Sequence, residues 1–438
     1  MTKVLVFCSD VLPLKGMATS GGGLRSWQIV QGLLAHGFEV AYSMPEGCYL
    51  SRIFREQIPP EARERLWNPF NQEQIIEKEK PDVIILTKPA LKFWQKNYEI
   101  PLALDFHGPD IIEFEQMVRG REPLGRQHRI ISKLRTIAEA DFFTCAGRRQ
   151  RYYFMAFLLM AGVALDELEI HFMPVAMSDE LPPHQPDLEH RSIIFAGGFY
   201  PWLNPMPSLL DLAQCLGSVN NCYLEIFGGS HETNPEEKRQ FDAFEEEMEK
   251  NPIVTFHGTI SRDQLLKWYQ KAYVAFELMP SNPEREMAFT TRTVEFMWAG
   301  LPVIYNDYAE LSDLIRQNQA GWLVSPGNIS QLQEVVKLVA EDTDAVRRAS
   351  TNAQRLVREN LTYEKVITPL ADFCRHPKRR QRSQDGDFFI LPSQRSKGRG
   401  VVDSLYLNCK TLSGREFVAK LFRHALLRGK RKIWGDKG

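Results

Sequence analysis

The chain reads as two doubly wound parallel α/β domains in series, facing each other across a cleft and followed by a basic tail. Three observations predict this. Short apolar runs alternate with helical patterns twice over, a polar proline-bearing stretch separates the two sets, and after residue 374 the pattern gives way to Arg, Lys, Ser, Gln and Gly. Alternation of this kind builds a parallel sheet with helices on both faces. At 438 residues the chain also exceeds one ordinary core, so two domains of roughly 180 residues are expected.

The first set of strands is predicted at Val4 to Cys8, Glu39 to Ser43, Asp82 to Leu86, Leu102 to Asp105, Phe142 to Cys145 and Ile170 to Pro174. The stretch SDELPPHQPDLEH, 178–190, reads as a linker because its prolines and polar residues support neither helix nor buried strand. The second set is predicted at Ile193 to Ala196, Tyr223 to Phe227, Val254 to His257, Tyr273 to Leu278, Pro302 to Tyr305 and Gly321 to Val324. The divisions are therefore 1–177, 178–190, 191–374 and 375–438. Within the last, REFVAKLFRHALLRGKRKIW, 415–434, has the spacing of a basic amphipathic helix.

A net charge of -1 conceals an asymmetry. From 375 to 438 there are 17 Lys or Arg against 5 Asp or Glu, so a basic tail follows an acidic body. Such a tail suits an anionic membrane surface, where each Lys or Arg contributes about 1 kcal/mol. It carries no base-reading module, so nucleic acid is not an expected partner. The N-terminus enters an apolar strand directly and reads as no signal peptide. The richest apolar run, Tyr152 to Ala164, is too short to span a bilayer. Seven scattered cysteines without metal-type spacing read as buried thiols. A cytoplasmic protein, peripheral at the inner face of the membrane, is the expectation.

The stretch SNPEREMAFTTRTVEFMWAGLPVIYND, Ser281 to Asp307, carries the most chemistry. It reads as an acidic loop, a short helix capped by the Thr290 and Thr291 hydroxyls, a tight Gly-Leu-Pro turn and a buried strand. At the carboxyl ends of parallel strands, free amides and the helix dipole favour phosphate. Gly21-Gly22-Gly23 opens the first long helix after the first strand, and there Gly22 and Gly23 would let amides approach the same anion. Arg292 adds a cation. His107, directly after a strand, is placed to donate to a bound sugar or phosphate, and Asp105 either fixes that loop or touches substrate. Glu295 can accept from both hydroxyls of a ribose, while Glu284 and Glu286 are candidates to orient sugar hydroxyls. Asp342-Thr343-Asp344 and Asp385-Gly386-Asp387 have acid-pair spacing but read as solvated turns, so no protein-held metal is expected.

These residues resemble those of the GT-B glycosyltransferases, and within them glycosyltransferase family 4. The resemblance covers Lys3 to about Cys374. It rests on Gly21-Gly22-Gly23, on Asp105-Phe106-His107-Gly108, on Gly197-Gly198 at the restart, and above all on Val294-Glu295-Phe296-Met297-Trp298-Ala299-Gly300-Leu301-Pro302-Val303-Ile304. It implies two Rossmann-like domains, a nucleotide-sugar donor with no other cofactor, a glycan or lipid-linked acceptor, metal-independent hexosyl transfer with retention, and a place in polysaccharide biosynthesis. It also implies ribose binding by Glu295 and donor binding at Gly198; Thr291, where the short helix opens, is read from its position as a further donor to the same anion.

Two departures stand out. Eight positions before Glu295, where the family has a first carboxylate, stands Met287, with Glu286 beside it. The Arg and Lys that in the family follow the reopening glycine are absent from Gly198-Phe199-Tyr200-Pro201-Trp202. A helix terminus stabilises an exposed anion by only about 0.3–1 kcal/mol, up to roughly 2 when partly buried, too little for a diphosphate. Arg292 is the first candidate for the missing charge, then Arg285 and Arg25. The reading is thus a transferase with His107, Glu286 and Arg292 as catalytic candidates. A non-catalytic scaffold of the same fold and a nucleotide-sugar epimerase or hydrolase are its rivals.

Overall fold

The computed structural model of the chain describes residues 1–46, 65–68, 71–88, 99–118, 125–229 and 235–381. The amphipathic stretch 415–434, the acid pair at Asp385 and Asp387, Cys48 and Cys409 lie outside them. Two six-stranded parallel sheets account for all twelve predicted strands. The first comprises β1 (Lys3–Phe7), β2 (Glu39–Ser43), β3 (Val83–Thr87), β4 (Leu102–Phe106), β5 (Phe142–Cys145) and β6 (His171–Phe172), in the order β2-β1-β3-β4-β5-β6. The second comprises β7 (Arg191–Ala196), β8 (Cys222–Phe227), β9 (Val254–Gly258), β10 (Val274–Glu277), β11 (Val303–Asn306) and β12 (Gly321–Val324), in the order β12-β11-β10-β7-β8-β9. Each order reverses beside its first strand, β1 or β7, which opens a crevice at the carboxyl ends of the strands.

The central strands β3, β4 and β10 are mostly apolar because helices cover both of their faces, and their few polar residues, Thr87, Asp105 and Glu277, stand at or near the carboxyl ends. β3 and β4 are buried at every position, and two hydrophobic clusters flank each sheet. The five described cysteines, Cys8, Cys145, Cys215, Cys222 and Cys374, are buried free thiols, and burial pushes Cys8, Cys145 and Cys374 up to about 12.

Packing departs from chain order at one place. The helices Tyr363–Val366 and Thr368–Arg375, which sequence order assigns to the second domain, return to the first. Val366, Ile367, Leu370, Ala371 and Cys374 join the core of Val4, Val6, Ile29 and Leu33. Gly32 permits this approach, since a Cβ there would lie 2.8 Å from Ile367. The chain then straps across the first domain, where the Arg380 amide and the Arg379 guanidinium both donate to Asp141. Among the described residues no helix is long and apolar enough to cross a membrane.

Candidate active site

Two helices point their N-termini at one another across the crevice. One is Gly21–Ala35, from the first domain; the other is Thr291–Trp298, from the second. An ideal Cβ on Gly21 would lie 3.4 Å from Thr291 Oγ1, so the two ends are in van der Waals reach. The first is capped as its sequence allows: Ser20 Oγ accepts from the Gly22 and Gly23 amides at 3.1 and 3.3 Å and in turn donates to Asp10. The second is not. Thr290, expected to cap it, makes no capping bond. Its hydroxyl meets Thr293 Oγ1 at 2.6 Å and Tyr305 Oη at 3.0 Å, because Thr290 is buried against β11.

Arg292 takes a place that spacing alone does not reveal. Its guanidinium lies against Gly197 at the end of β7, where a Cβ would come within 1.9 Å of Nη1. Nη1 donates to the Ala196 carbonyl at 3.0 Å, Nη2 is 3.5 Å from Glu277, and the cation sits 5.1 Å from the Phe195 ring centroid. Nε is buried without a hydrogen-bond partner. A cation therefore stands beside the reopening glycine, delivered by the facing helix. Gly198 has a different neighbour, the Tyr200 ring, 2.4 Å from a Cβ on it.

The other cation candidates face elsewhere. Arg25 is fully buried, with Nε and Nη2 donating to the two Asp105 oxygens at 3.0 and 2.7 Å and Nη1 to Gln28 and the Pro174 carbonyl. Thr144 completes the Asp105 shell at 2.7 Å. This pair braces the first sheet and is closed to a diphosphate. Arg285 is likewise engaged by Glu284 through Nε and Nη2; burial opposes its charge, but Glu284 raises its pKa on balance. Glu286 is exposed and accepts from Ser281 Oγ at 2.7 Å. Residues two apart on the short Pro283–Met287 helix diverge by about 200°, so Glu284 and Glu286 point to different sides. Gly23 is a packing glycine: a Cβ there would lie 1.8 Å from the Val11 carbonyl oxygen.

Glu295 is buried and bonded, its Oε1 accepting from Arg262 Nε at 2.7 Å. The Arg262 amide donates to the Met17 carbonyl in the first domain at 3.0 Å, which ties Glu295 to the domain junction. His107 directly follows β4, with Nδ1 buried and unpartnered. Burial, then the nearby Lys88 charge, lowers its pKa to about 3 against the pull of Asp105, so it is a neutral imidazole at physiological pH. Sequence reading missed Asp10, Lys88, Glu113 and Glu277. Asp10, Lys88 and Glu277 lie at or just beyond strand ends, and the rule that singled out His107 would have found them. Among the described residues no cluster of three or more His, Cys, Asp or Glu could hold a metal.

Twin parallel domains meeting at such a crevice define a GT-B protein. Residues 179–356 match the family model described as glycosyl transferases group 1. Among solved structures the chain is similar to sucrose-phosphate synthase from Thermosynechococcus elongatus, with a TM-score of 0.64, 15% identity, and 86% of this chain and 99% of that one covered. It is also similar to an alpha-glucosyltransferase in complex with UDP, at 0.59 and 11%, covering 86% and 100%. Anabaena HepE in complex with UDP-glucose matches at 0.58 and 14%, again covering 86% and 100%. At these identities the likeness is one of fold. A search of curated protein sequences returns no match.

Proposed function

We propose that the protein is a retaining glycosyltransferase that moves a hexosyl group from a nucleotide-diphosphate donor to a glycan or lipid-linked acceptor in polysaccharide assembly. The observation that carries this is the meeting of the Gly21 and Thr291 helix ends with the Arg292 guanidinium seated at Gly197. Breaking the anomeric bond builds negative charge on the departing phosphate, and preorganised amides with one guanidinium are suited to stabilise it. The uncapped Thr291 end supplies amides at that point, and Arg292 Nε supplies a donor that no protein atom uses. Neutral His107 can donate to a sugar hydroxyl without bringing charge to the ring. With Oε1 committed to Arg262, Glu295 would meet a ribose through Oε2. A UDP-sugar is the first donor to test, since UDP or UDP-glucose occupies two of the structural neighbours. The chemistry asks for no protein-held metal, so activity should survive EDTA.

A thermal-shift screen with UDP-, GDP- and dTDP-sugars tests the donor site, because a ligand bound only to the native state raises Tm. Glu295→Ala should abolish the shift. The scaffold reading has an observation in its favour, the pairing of Met287 in place of a carboxylate with a Glu295 already held by Arg262. It would prevail if no donor raised Tm or was turned over. Peripheral membrane association rests on tail composition. Truncation after Gln381, which keeps the Arg379 and Arg380 strap, should remove binding to anionic liposomes, and unchanged binding would reject the idea.

A further inference from the structure

The two domains carry several buried or half-buried cations, and most are bonded too closely to serve a ligand. Arg25 lies 2.7 Å from Asp105, Arg262 2.7 Å from Glu295, and Arg285 and Lys133 are held by Glu284 and Asp110. Moving any of these would strand a buried carboxylate. Lys88 differs. Its Nζ stands 3.8 Å from Glu113 Oε2, and its side chain is 35% exposed. It follows β3 with a φ of 98°, a conformation that costs a lysine energy a glycine would not spend. The Lys88 amide, donating to the Asp105 carbonyl at 2.9 Å, holds it there.

The surroundings show where this lysine points. Glu113 favours its charge most, burial opposes it, and Asp110 and Asp10 add to Glu113 with Arg129 against, leaving the lysine pKa raised. Asp10 is the residue bonded to Ser20 at the first helix's N-terminus. From the second domain, Tyr200 lies within the field of Asp10, Lys88, Arg292 and Glu113 together. The geometry agrees: Thr87, the residue before Lys88, accepts from the Ser9 amide at 2.8 Å and meets Ser26 Oγ at 2.9 Å, and Gly22 packs beside Ser9 and Asp10, so Lys88 leaves β3 next to the helix N-terminus that Thr291 meets. The partner that Lys88 would leave is easily quieted, because burial raises the Glu113 pKa while Lys88 lowers it; once the lysine departs, the carboxyl takes a proton more readily.

We propose that Lys88 is the second phosphate-binding cation of the site, supplied by the first domain in place of the residues missing after Gly198, and that it exchanges Glu113 for a phosphate oxygen when ligand binds. The proposal rests on the donor site described above. The phosphate belongs either to the donor or to a phosphorylated acceptor, and the backbone strain at Lys88 is the cost of aiming the ammonium at it.

The test uses the full chain with Lys88→Met, Lys88→Arg and Lys88→Gly. Isothermal titration with UDP, GDP and dTDP is set against the matching nucleosides. Lys88→Met should weaken diphosphate binding about tenfold or more while leaving nucleoside binding within about twofold, and Lys88→Arg should restore part of it. Lys88→Gly should raise Tm by about 1–3 °C through relief of strain and still lose the diphosphate, a pairing of opposite signs that a structural lysine would not give. If diphosphate binding is unchanged but donor turnover falls with glucose 6-phosphate and not with glucose, the phosphate is the acceptor's and the cation role stands. If neither responds while the wild type binds diphosphate, the Lys88 proposal is overturned and the donor site survives. If the wild type binds none of the three diphosphates, the donor site fails and Lys88 with it.

Discussion

The two glycine turns at the crevice, Gly21 to Gly23 in the first domain and Gly197-Gly198 in the second, follow equivalent strands yet serve different neighbours. In the first turn the space is filled locally. Gly23 admits the Val11 carbonyl and Gly22 packs beside Ser9 and Asp10, while Ser20 caps the helix from one residue upstream. In the second, Gly197 admits a guanidinium carried 95 positions further along the chain, that of Arg292. Glycine in a sequence marks a close approach; what approaches is a property of the fold.

The comparison breaks most sharply at Gly197. Gly197→Ala would place a methyl 1.9 Å from Arg292 Nη1 and should cost about 100-fold in kcat/KM, the scale of losing one preorganised donor. Steady-state assays should find Arg292→Met about as impaired, and the double variant no worse than either single one. At the first turn the expected damage is to stability. Gly23→Ala forces a contact of 1.8 Å with the Val11 carbonyl oxygen, so urea unfolding should show a loss of about 1–3 kcal/mol. A fully stable Gly23→Ala protein would show that this turn relaxes freely and would weaken the contrast.

The smallest expected effect sharpens the contrast from the first domain's side. His107 is depressed to about 3 in the native state and titrates near 6.5 when unfolded. Between those values the unfolded chain binds a proton that the native one does not, so His107 draws stability down as pH falls from about 6.5 toward 3. Below that window the penalty is constant. His107→Asn should flatten this part of the stability-versus-pH curve, as chemical denaturation at stepped pH would show.

All twelve strands, the helix starting at Gly21 and the run from Val294 to Ile304 were legible in the sequence because burial on both faces imposes apolar runs of strand length. Apolar periodicity is local, and so is the Pro-rich composition of 178–190. Thr290 was misread as a cap because its hydroxyl found a partner in Tyr305, on the following strand. Arg25 looked available from its place next to a glycine turn, but the fold put Asp105 beneath it.

By itself the sequence determined the two sheets, the crevice implied at their strand ends, and the chemical types gathered near it: glycines, an imidazole, carboxylates and guanidinium groups. The tertiary structure decided which of these meet. It seated Arg292 at Gly197, closed Arg25 and Arg285 with carboxylates, left Lys88 loosely held by Glu113, and returned the last helices to the first domain. The reason is range: strand and helix patterns are written by neighbours a few residues apart, whereas a buried charge is settled by whichever partner the packed chain brings within about 4 Å.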